Sequence, residues 1–255
     1  MRVILALMLA GFREALRNRI TVVVGVFAGV LILLTTLVMN TTVFTIDRAV
    51  TDFGLGVMAL LMAALSMFLS VGTLSREIEK RTVFLVMSRP ISRTQFVVGR
   101  YLGMMTTLTV LLAAMAFFYG LQLLLFGVQP TGAMGAALLG LWVELFVLAA
   151  LGLLLSASTG QLVGALSLVG VYLMGHLSPD LFALSQRTDL PGLARACGVL
   201  YALVPNLDRL DYRVEAAWES TIELPELLSS CGVGAAWALL FVTAASLVFS
   251  RRDFR

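Results

Sequence analysis

The chain has 255 residues, of which 60% are hydrophobic and only 13% charged, with a formal net charge of +3. Soluble domains are about 45–50% apolar and about 25% charged, so this composition indicates a membrane protein. Two cysteines and one histidine exclude a disulfide-rich scaffold and a histidine-rich metal centre.

Residues 1–19 are predicted to form an amphipathic helix in the membrane interface. At 100° per residue, Arg2, Arg13 and Arg17 fall within about 60° of one another. An ordinary basic flank of the first span is the alternative. No small-residue cleavage site precedes Arg13, so a cleaved signal peptide is not expected.

Six charge-poor apolar runs follow, and each reaches or approaches the ~17–25 residues that a helix needs to cross the hydrocarbon core. They are 20–44, 54–74, 101–128, 134–155, 161–177 and 231–250. A helix satisfies its own backbone polar groups in lipid, so we predict an all-α protein with six transmembrane helices. The fifth run is the shortest and ends near His176 and Pro179.

The distribution of basic residues predicts the orientation. Thirteen of the 18 basic residues lie in 1–19, 75–100 and 251–255. The positive-inside rule therefore places both termini and the 75–100 loop in the cytoplasm, with the chain multi-pass in the inner (plasma) membrane. We predict one transmembrane domain over 1–255, with five spans in 20–177, an extracytoplasmic segment at 178–230 and the sixth span at 231–250.

The 75–100 loop is predicted to be a cytoplasmic helix–turn–helix. The helix of the second span continues through 76–87, and Arg89 precedes Pro90, which turns the chain. Ser92 and Gln95 have the spacing of a capping box that starts the next helix. The apolar run 83–87 then needs a cover, which is a partner protein, the interfacial lipid or the protein's own spans.

The 178–230 segment is acidic and is predicted to form short helices on the outer surface. Cys197 and Cys231 both fall on this oxidising side. Their positions are compatible with a disulfide or with two incidental buried thiols, and sequence alone does not decide between them.

Glu144 is the one ionisable residue deep inside an apolar run, and Gln122 and Tyr119 are candidate hydrogen-bonding partners. A charge at this depth indicates a substrate-path or gating residue, or a protonated carboxyl that joins two helices. His176 is predicted to be interfacial. Along one helix it lies about 13–14 Å from Ser167, too far for a catalytic dyad.

Two G-x-x-x-G pairs, which allow close helix packing, are Gly25–Gly29 in the first span and Gly160–Gly164 at the start of the fifth. No phosphate-binding glycine loop precedes Lys80, the only lysine, so the chain has no nucleotide site of that kind.

Three segments resemble ABC-2 type export permeases. In REIEKRTVFLVMSRPISRTQFVVGRYLG, residues 76–103, the family's coupling pattern is matched by Glu79, Thr82, Leu85, Met87, Pro90, Ser92, Arg93 and Arg100. Arg81 stands where the family usually has glycine. LVPNLDRLD (203–211) and FSRRDF (249–254) are similar to the subgroup that includes permeases for nitrous-oxide-reductase maturation and gliding motility.

The resemblance implies a membrane-spanning exporter subunit, not itself an enzyme, that forms a dimer and docks separate ATPase subunits. ATP and Mg would be bound by those partners, and this chain would hold no cofactor. The first and fifth spans would line the dimer seam, with the N-terminal helix against the ATPase. The implied docking residues are Glu79, Phe84, Met87, Arg89, Pro90 and Arg93.

Two other functions remain open at this point. A secondary transporter or channel would use Glu144 for proton coupling, although no inverted half-repeat is present. A non-transporting relative would transmit ATPase strokes to an outer partner. A membrane enzyme is disfavoured because no nucleophile–base set is found. The sequence does not identify a transported substrate.

Overall fold

The computed structural model describes residues 46–79, 92–187, 191–218 and 220–251, with a few isolated positions between 8 and 33. Within these ranges the regular structure is helical, and no strand occurs. The helices are α1 (Ile46–Glu79), α2 (Arg93–Phe126), α3 (Gly132–Ser158), α4 (Gln161–His176), α5 (Ser178–Arg187), α6 (Pro191–Leu203), α7 (Arg213–Ala217) and α8 (Leu224–Arg251), with a 3₁₀ turn at Asp208–Leu210.

Four of these helices, α1, α2, α3 and α8, are long and apolar enough to cross a membrane. A fifth span results if α4 and α5 are counted together, although the two are bent by 62°. The all-α prediction is confirmed for the described residues. The predicted first span 20–44 and interfacial helix 1–19 lie largely outside them, so the count of six is not confirmed.

The helix ends follow the local sequence. Ser92 caps α2: its Oγ accepts a hydrogen bond from the Gln95 amide, and its own amide donates to Gln95 Oε1, which is the predicted capping box. Gly127 ends α2 in the left-handed conformation (φ 71°), which costs a glycine little. Helix α1 extends past the predicted span to Glu79, and residues 80–91 lie outside the described part.

Helix α3 is the centre of the bundle and packs against α1 and α8 through small residues. Gly152 lies directly against Ser70 of α1, and Ser156 Oγ donates to the Val71 carbonyl at 2.7 Å. Ala149 and Ala150 are completely buried. In lipid, where burying apolar surface gives little advantage, close approach between backbones is what holds helices together.

The outward faces of the long helices carry large apolar side chains. Phe117 and Leu125 of α2, for example, are 69% and 75% exposed. Such surfaces are compatible with an apolar surrounding such as the hydrocarbon of a bilayer.

Two ends of the bundle can be distinguished. Helix α2 begins and α8 ends at the same end of the bundle, where the Arg93 Nη1 donates to the Ser250 carbonyl at 2.8 Å. This end is here called the basic end, because Arg93, Arg100 and Arg251 lie near it. The 178–230 segment lies at the opposite end. Its helices α5 and α6 pair through Phe182 and Tyr201, whose ring centroids are 5.0 Å apart.

Residues 204–217, here called the cap segment, enter the end of the bundle, whereas the whole 178–230 segment was predicted to lie on the surface. The Leu207 amide donates to the Gly175 carbonyl of α4 at 3.2 Å. The Leu210 carbonyl contacts Gly140 of α3, and the Leu210 side chain packs beside Gly234 of α8. The prediction of short helices is confirmed, but their placement on the surface is wrong for the cap segment.

We expect Gly140→Ala to loosen the cap segment, because the added methyl group would clash with the Leu210 carbonyl. Overpacking of this kind costs about 1–3 kcal/mol. Thermal unfolding in detergent should show the loss of stability, and amide exchange should show faster exchange in residues 204–217.

The matched control is Gly135→Ala on the same helix, where a methyl group would meet only open space. This variant should keep the stability and exchange pattern of the parent protein. Equal behaviour of the two variants would contradict the tight seating of the cap segment.

Candidate functional site

Glu144 is buried near the middle of α3 and pairs with His176, the last residue of α4. The Glu144 Oε1 lies 3.2 Å from the His176 Nε2, which is hydrogen-bond distance. Glu144 is 4% exposed, so the histidine replaces the water that a carboxylate would otherwise bind. The Tyr172 ring packs edge-on against the His176 ring at 4.7 Å between centroids.

Equal depth in two neighbouring helices brings the pair together. Helices α3 and α4 are joined by the short connection 159–160. Glu144 lies 14 residues before Ser158 and His176 lies 15 residues after Gln161, which is about 21 Å and 22 Å along the two helices. The two side chains therefore reach the same level of the bundle.

The chain bends immediately after His176, so α4 alone is only 16 residues long. At 1.5 Å per residue it spans about 24 Å, which is less than the ~30 Å hydrocarbon core. The cap segment occupies the space next to this short helix. The would-be Cβ of Gly175 lies 2.8 Å from the Leu207 side chain and 2.9 Å from the Pro205 carbonyl. A larger residue at Gly175 would therefore exclude the cap segment.

The cap segment brings a second charged pair to Glu144 and His176. Arg213 Nε donates to Asp211 Oδ1 at 2.6 Å, and its Nη2 donates to Oδ2 of the same carboxylate. Asp211, Arg213 and Glu144 line one cavity of about 10 Å³, room for roughly one water molecule. Two carboxylates, one guanidinium and one imidazole thus form a single cluster, here called the polar cluster.

The pairing of Asp211 with Arg213 shifts the pKa of both groups. Burial acts to raise the pKa of Asp211, but the hydrogen bonds and positive charge of Arg213 outweigh it and hold the pKa below its usual range. The same bonds raise the pKa of Arg213 further above its usual value. At neutral pH the pair is therefore a carboxylate and a guanidinium, which makes the hydrogen bonds charge-assisted.

The cap segment is anchored to α8 and α1 by further polar contacts. Tyr212 Oη donates to Ser230 Oγ at 3.0 Å, and the Arg209 guanidinium donates to the hydroxyls of Ser229 and Ser230. On the other side, the Arg48 guanidinium of α1 lies 4.4 Å from the centroid of the Trp218 ring. The segment that covers the polar cluster is thus tied to α8, and Trp218, which directly follows the segment, contacts α1.

The chemistry available to the polar cluster is proton binding and electrostatic gating. Carboxyl, imidazole and guanidinium groups are present, and the described hydrogen bond of the His176 ring goes to a carboxyl oxygen rather than to a hydroxyl or thiol nucleophile. No group of three His, Cys, Asp or Glu residues in the described part of the chain could hold a metal ion.

Tyr119 and Gln122, the predicted partners of Glu144, both lie on α2. The Tyr119 ring of α2 packs directly against Gly54 of α1, and Gln122 is buried one turn further along α2. The described hydrogen-bond partner of Glu144 is His176. His176 is the last residue of α4, as predicted for the end of this run, and its ring faces Glu144.

Of the implied docking residues, Arg93 is the first residue of α2, and Glu79 is the last residue of α1. The side chain of Glu79, and the whole of Phe84, Met87, Arg89 and Pro90, lie outside the described residues.

The predicted packing glycines differ in their surroundings. Gly25, Gly29 and Gly160 have open space where a side chain would be. At Gly164 a Cβ would lie 3.2 Å from Val71 of α1, so this glycine serves packing within the chain. Cys197 and Cys231 are both free, so the disulfide considered from the sequence is not present.

Sequence reasoning missed His176 as the partner of Glu144, and it missed Asp211 and Arg213. The sequence does contain a usable signal for His176. Counted along the helices, His176 lies about as far after the turn at 159–160 as Glu144 lies before it, so the two residues are expected at the same level. Comparison with protein-family models finds none that matches the chain, and no curated protein matches it significantly.

A double-mutant cycle tests the pairing of Glu144 with His176. Glu144→Ala and His176→Ala should each destabilise the protein, and the double variant should lose less than the sum. For residues in direct contact we expect a coupling energy of about 0.5–3 kcal/mol, measured by denaturant unfolding in detergent.

Thr131→Ala, which removes the side-chain cap of α3, provides the control. Thr131 lies about 20 Å along α3 from Glu144, so its effect should add to that of Glu144→Ala. Additive energies for Glu144 and His176 as well would show that the two side chains do not interact.

Proposed function

We propose that the chain is the membrane-spanning permease subunit of an ABC-2 type exporter, coupled to separate ATPase subunits. The observation that carries the proposal is the arrangement around residues 80–91. Helix α1 continues to Glu79, and α2 restarts at a complete capping box on Ser92. Two long helices therefore bracket a short basic and apolar segment at the basic end of the bundle.

This arrangement is suited to transmitting force from a docked ATPase to the membrane helices. Residues 80–91 join two helices of 34 residues each, so a force applied to the segment would act on both ends at once. The segment contains the apolar run 83–87 beside basic residues, a composition suited to a protein contact with an apolar centre and a polar rim. Motion of α1 and α2 would reach α3, which packs against both.

In this proposal the polar cluster and its cap segment form the outer gate. Opening a path past Glu144 requires the cap segment to leave Gly140, Gly175 and Gly234, which it contacts closely. The contact points are tight but few, so movement of the helices that carry them would release the segment. The basic end would face the cytoplasm of the inner membrane, with both termini on that side.

A homodimer fits the exposed faces of the proposed permease. Helix α4 presents a run of exposed apolar residues, among them Leu162, Leu166 and Leu173 at 74%, 67% and 55% exposure. Gly25 and Gly29 of the predicted first span also have open space beside them. These are the two spans that the family resemblance assigns to the dimer seam.

Charge placed in the 80–91 segment should release the ATPase. Phe84→Asp and Met87→Asp would put carboxylates into the apolar centre of the proposed contact, and we expect the co-purifying ATPase to be lost. The measurement is affinity purification of the tagged chain followed by identification of attached P-loop proteins.

Leu184→Asp provides the control, because Leu184 is an exposed apolar residue of α5 at the opposite end. This variant should retain the ATPase. Retention of the ATPase by all three variants would contradict docking at 80–91.

A proton-coupled secondary transporter is the second candidate, and the buried Glu144–His176 pair favours it. The two functions differ in their energy source. If the permease proposal holds, the purified chain reconstituted alone in vesicles should pass no more protons under a pH gradient than its Glu144→Gln variant does, as measured with an entrapped pH dye. Proton flux that disappears in the variant would favour the secondary transporter.

A further inference from the structure

An apolar groove of about 790 Å³ runs along one outer face of α2, α3 and α8. Its floor is formed by buried residues from all three helices, including Tyr101, Val143 and Val242. Its edges are exposed side chains, Leu102 on α2 and Leu239 and Leu247 on α8. None of its lining residues carries a charge.

The groove has the length and depth of a site for one lipid chain. It follows α8 from Ala235 to Ser250, which is about 22 Å at 1.5 Å per residue. One leaflet of the hydrocarbon core is about 15 Å thick, half of the ~30 Å total. An acyl chain that enters at the Ser250 end would therefore run through one leaflet and slightly beyond the middle of the bilayer.

Positive charge is concentrated at one mouth of this groove. Thr94 and Ser250 line the mouth, and the Arg93 guanidinium is held there by its bond to the Ser250 carbonyl at 2.8 Å. The next residue of α8, Arg251, is exposed. The Arg93 guanidinium thus lies where the apolar groove opens, and Arg251 follows directly on α8, at the end of the bundle where basic residues are concentrated.

We propose that this groove binds an acyl chain of an anionic phospholipid, whose phosphate is held by Arg93 and Arg251. The apolar walls select a hydrocarbon chain, and the paired guanidinium groups select a phosphate without a compensating positive headgroup. The site does not depend on the proposed permease function. It needs only the helix arrangement and a surrounding bilayer.

Trp142 makes the proposal directly measurable, because it lines the groove and is 37% exposed. The chain has three tryptophans. Trp218→Phe and Trp237→Phe together leave Trp142 as the single fluorophore. The probe is phosphatidylglycerol or phosphatidylcholine with brominated acyl chains, which quench tryptophan fluorescence on contact, titrated into nanodiscs of unbrominated phosphatidylcholine.

Half-quenching should occur at an about fivefold lower mole fraction of brominated phosphatidylglycerol than of brominated phosphatidylcholine, the effect of roughly one basic side chain at a membrane surface. Arg93→Gln combined with Arg251→Gln should abolish this preference. The control, Arg187→Gln with Arg195→Gln, makes the same change in charge on α5 and α6 and should preserve it.

A second pair of variants tests whether the acyl chain of the lipid lies in the groove. Thr243→Phe fills the groove from α8, and it should reduce quenching by both lipids. Leu240→Phe changes an exposed residue of the same helix that does not line the groove, and quenching should be unchanged.

Three outcomes would overturn the proposal. Equal quenching by the two lipids would mean ordinary surrounding lipid. Absence of quenching by either lipid would mean that a second copy or another segment of this chain covers the groove. An unchanged preference in the Arg93 and Arg251 variant would place the phosphate elsewhere. If that variant does not fold, the preference of the parent protein still decides between anionic and ordinary lipid.

Discussion

Glu144 imposes the constraint on which the rest of the site depends. A carboxyl group in the middle of an apolar helix is shielded from bulk water, so the protein itself must supply a partner. His176 does so at 3.2 Å, because it lies at the same level of the bundle. A longer, straight fifth span would keep the histidine at the same depth but would leave no room for the cap segment. The break after His176 therefore brings both polar pairs to one place.

Glycines make this arrangement sterically possible. The cap segment approaches α3, α4 and α8 at Gly140, Gly175 and Gly234, one glycine on each helix. Backbone and leucine side chains then occupy the volume in which other residues would have a Cβ. Such contacts bring the Asp211–Arg213 pair close to Glu144 without burying an isolated charge, because each carboxylate has a cationic or imidazole neighbour.

The two proposals share helix α2. The permease proposal uses α1 and α2 as levers that meet at residues 80–91, with the cap segment as the outer closure. The lipid groove is formed by α2, α3 and α8, and its charged mouth includes Arg93, the first residue of the α2 lever. A phospholipid bound there would brace α2 against α8 in the bilayer. Each proposal has its own experiment, since lipid quenching is measured without an ATPase.

The amino-acid sequence by itself determined the class of long apolar helices and the start of α2, because both follow from local physics: apolar runs need lipid or burial, and Ser92 with Gln95 caps a helix wherever it lies. It also singled out Glu144 as unusual. Only the tertiary structure decided that His176, 32 residues away, is its partner, and that residues 204–217 insert into the bundle. Those features depend on where separate helices end and bend relative to one another: counting residues from the turn at 159–160 gives the level of Glu144 and His176, but not the direction of their side chains or the path of the cap segment. The groove is likewise a property of three packed helices and of none of them alone.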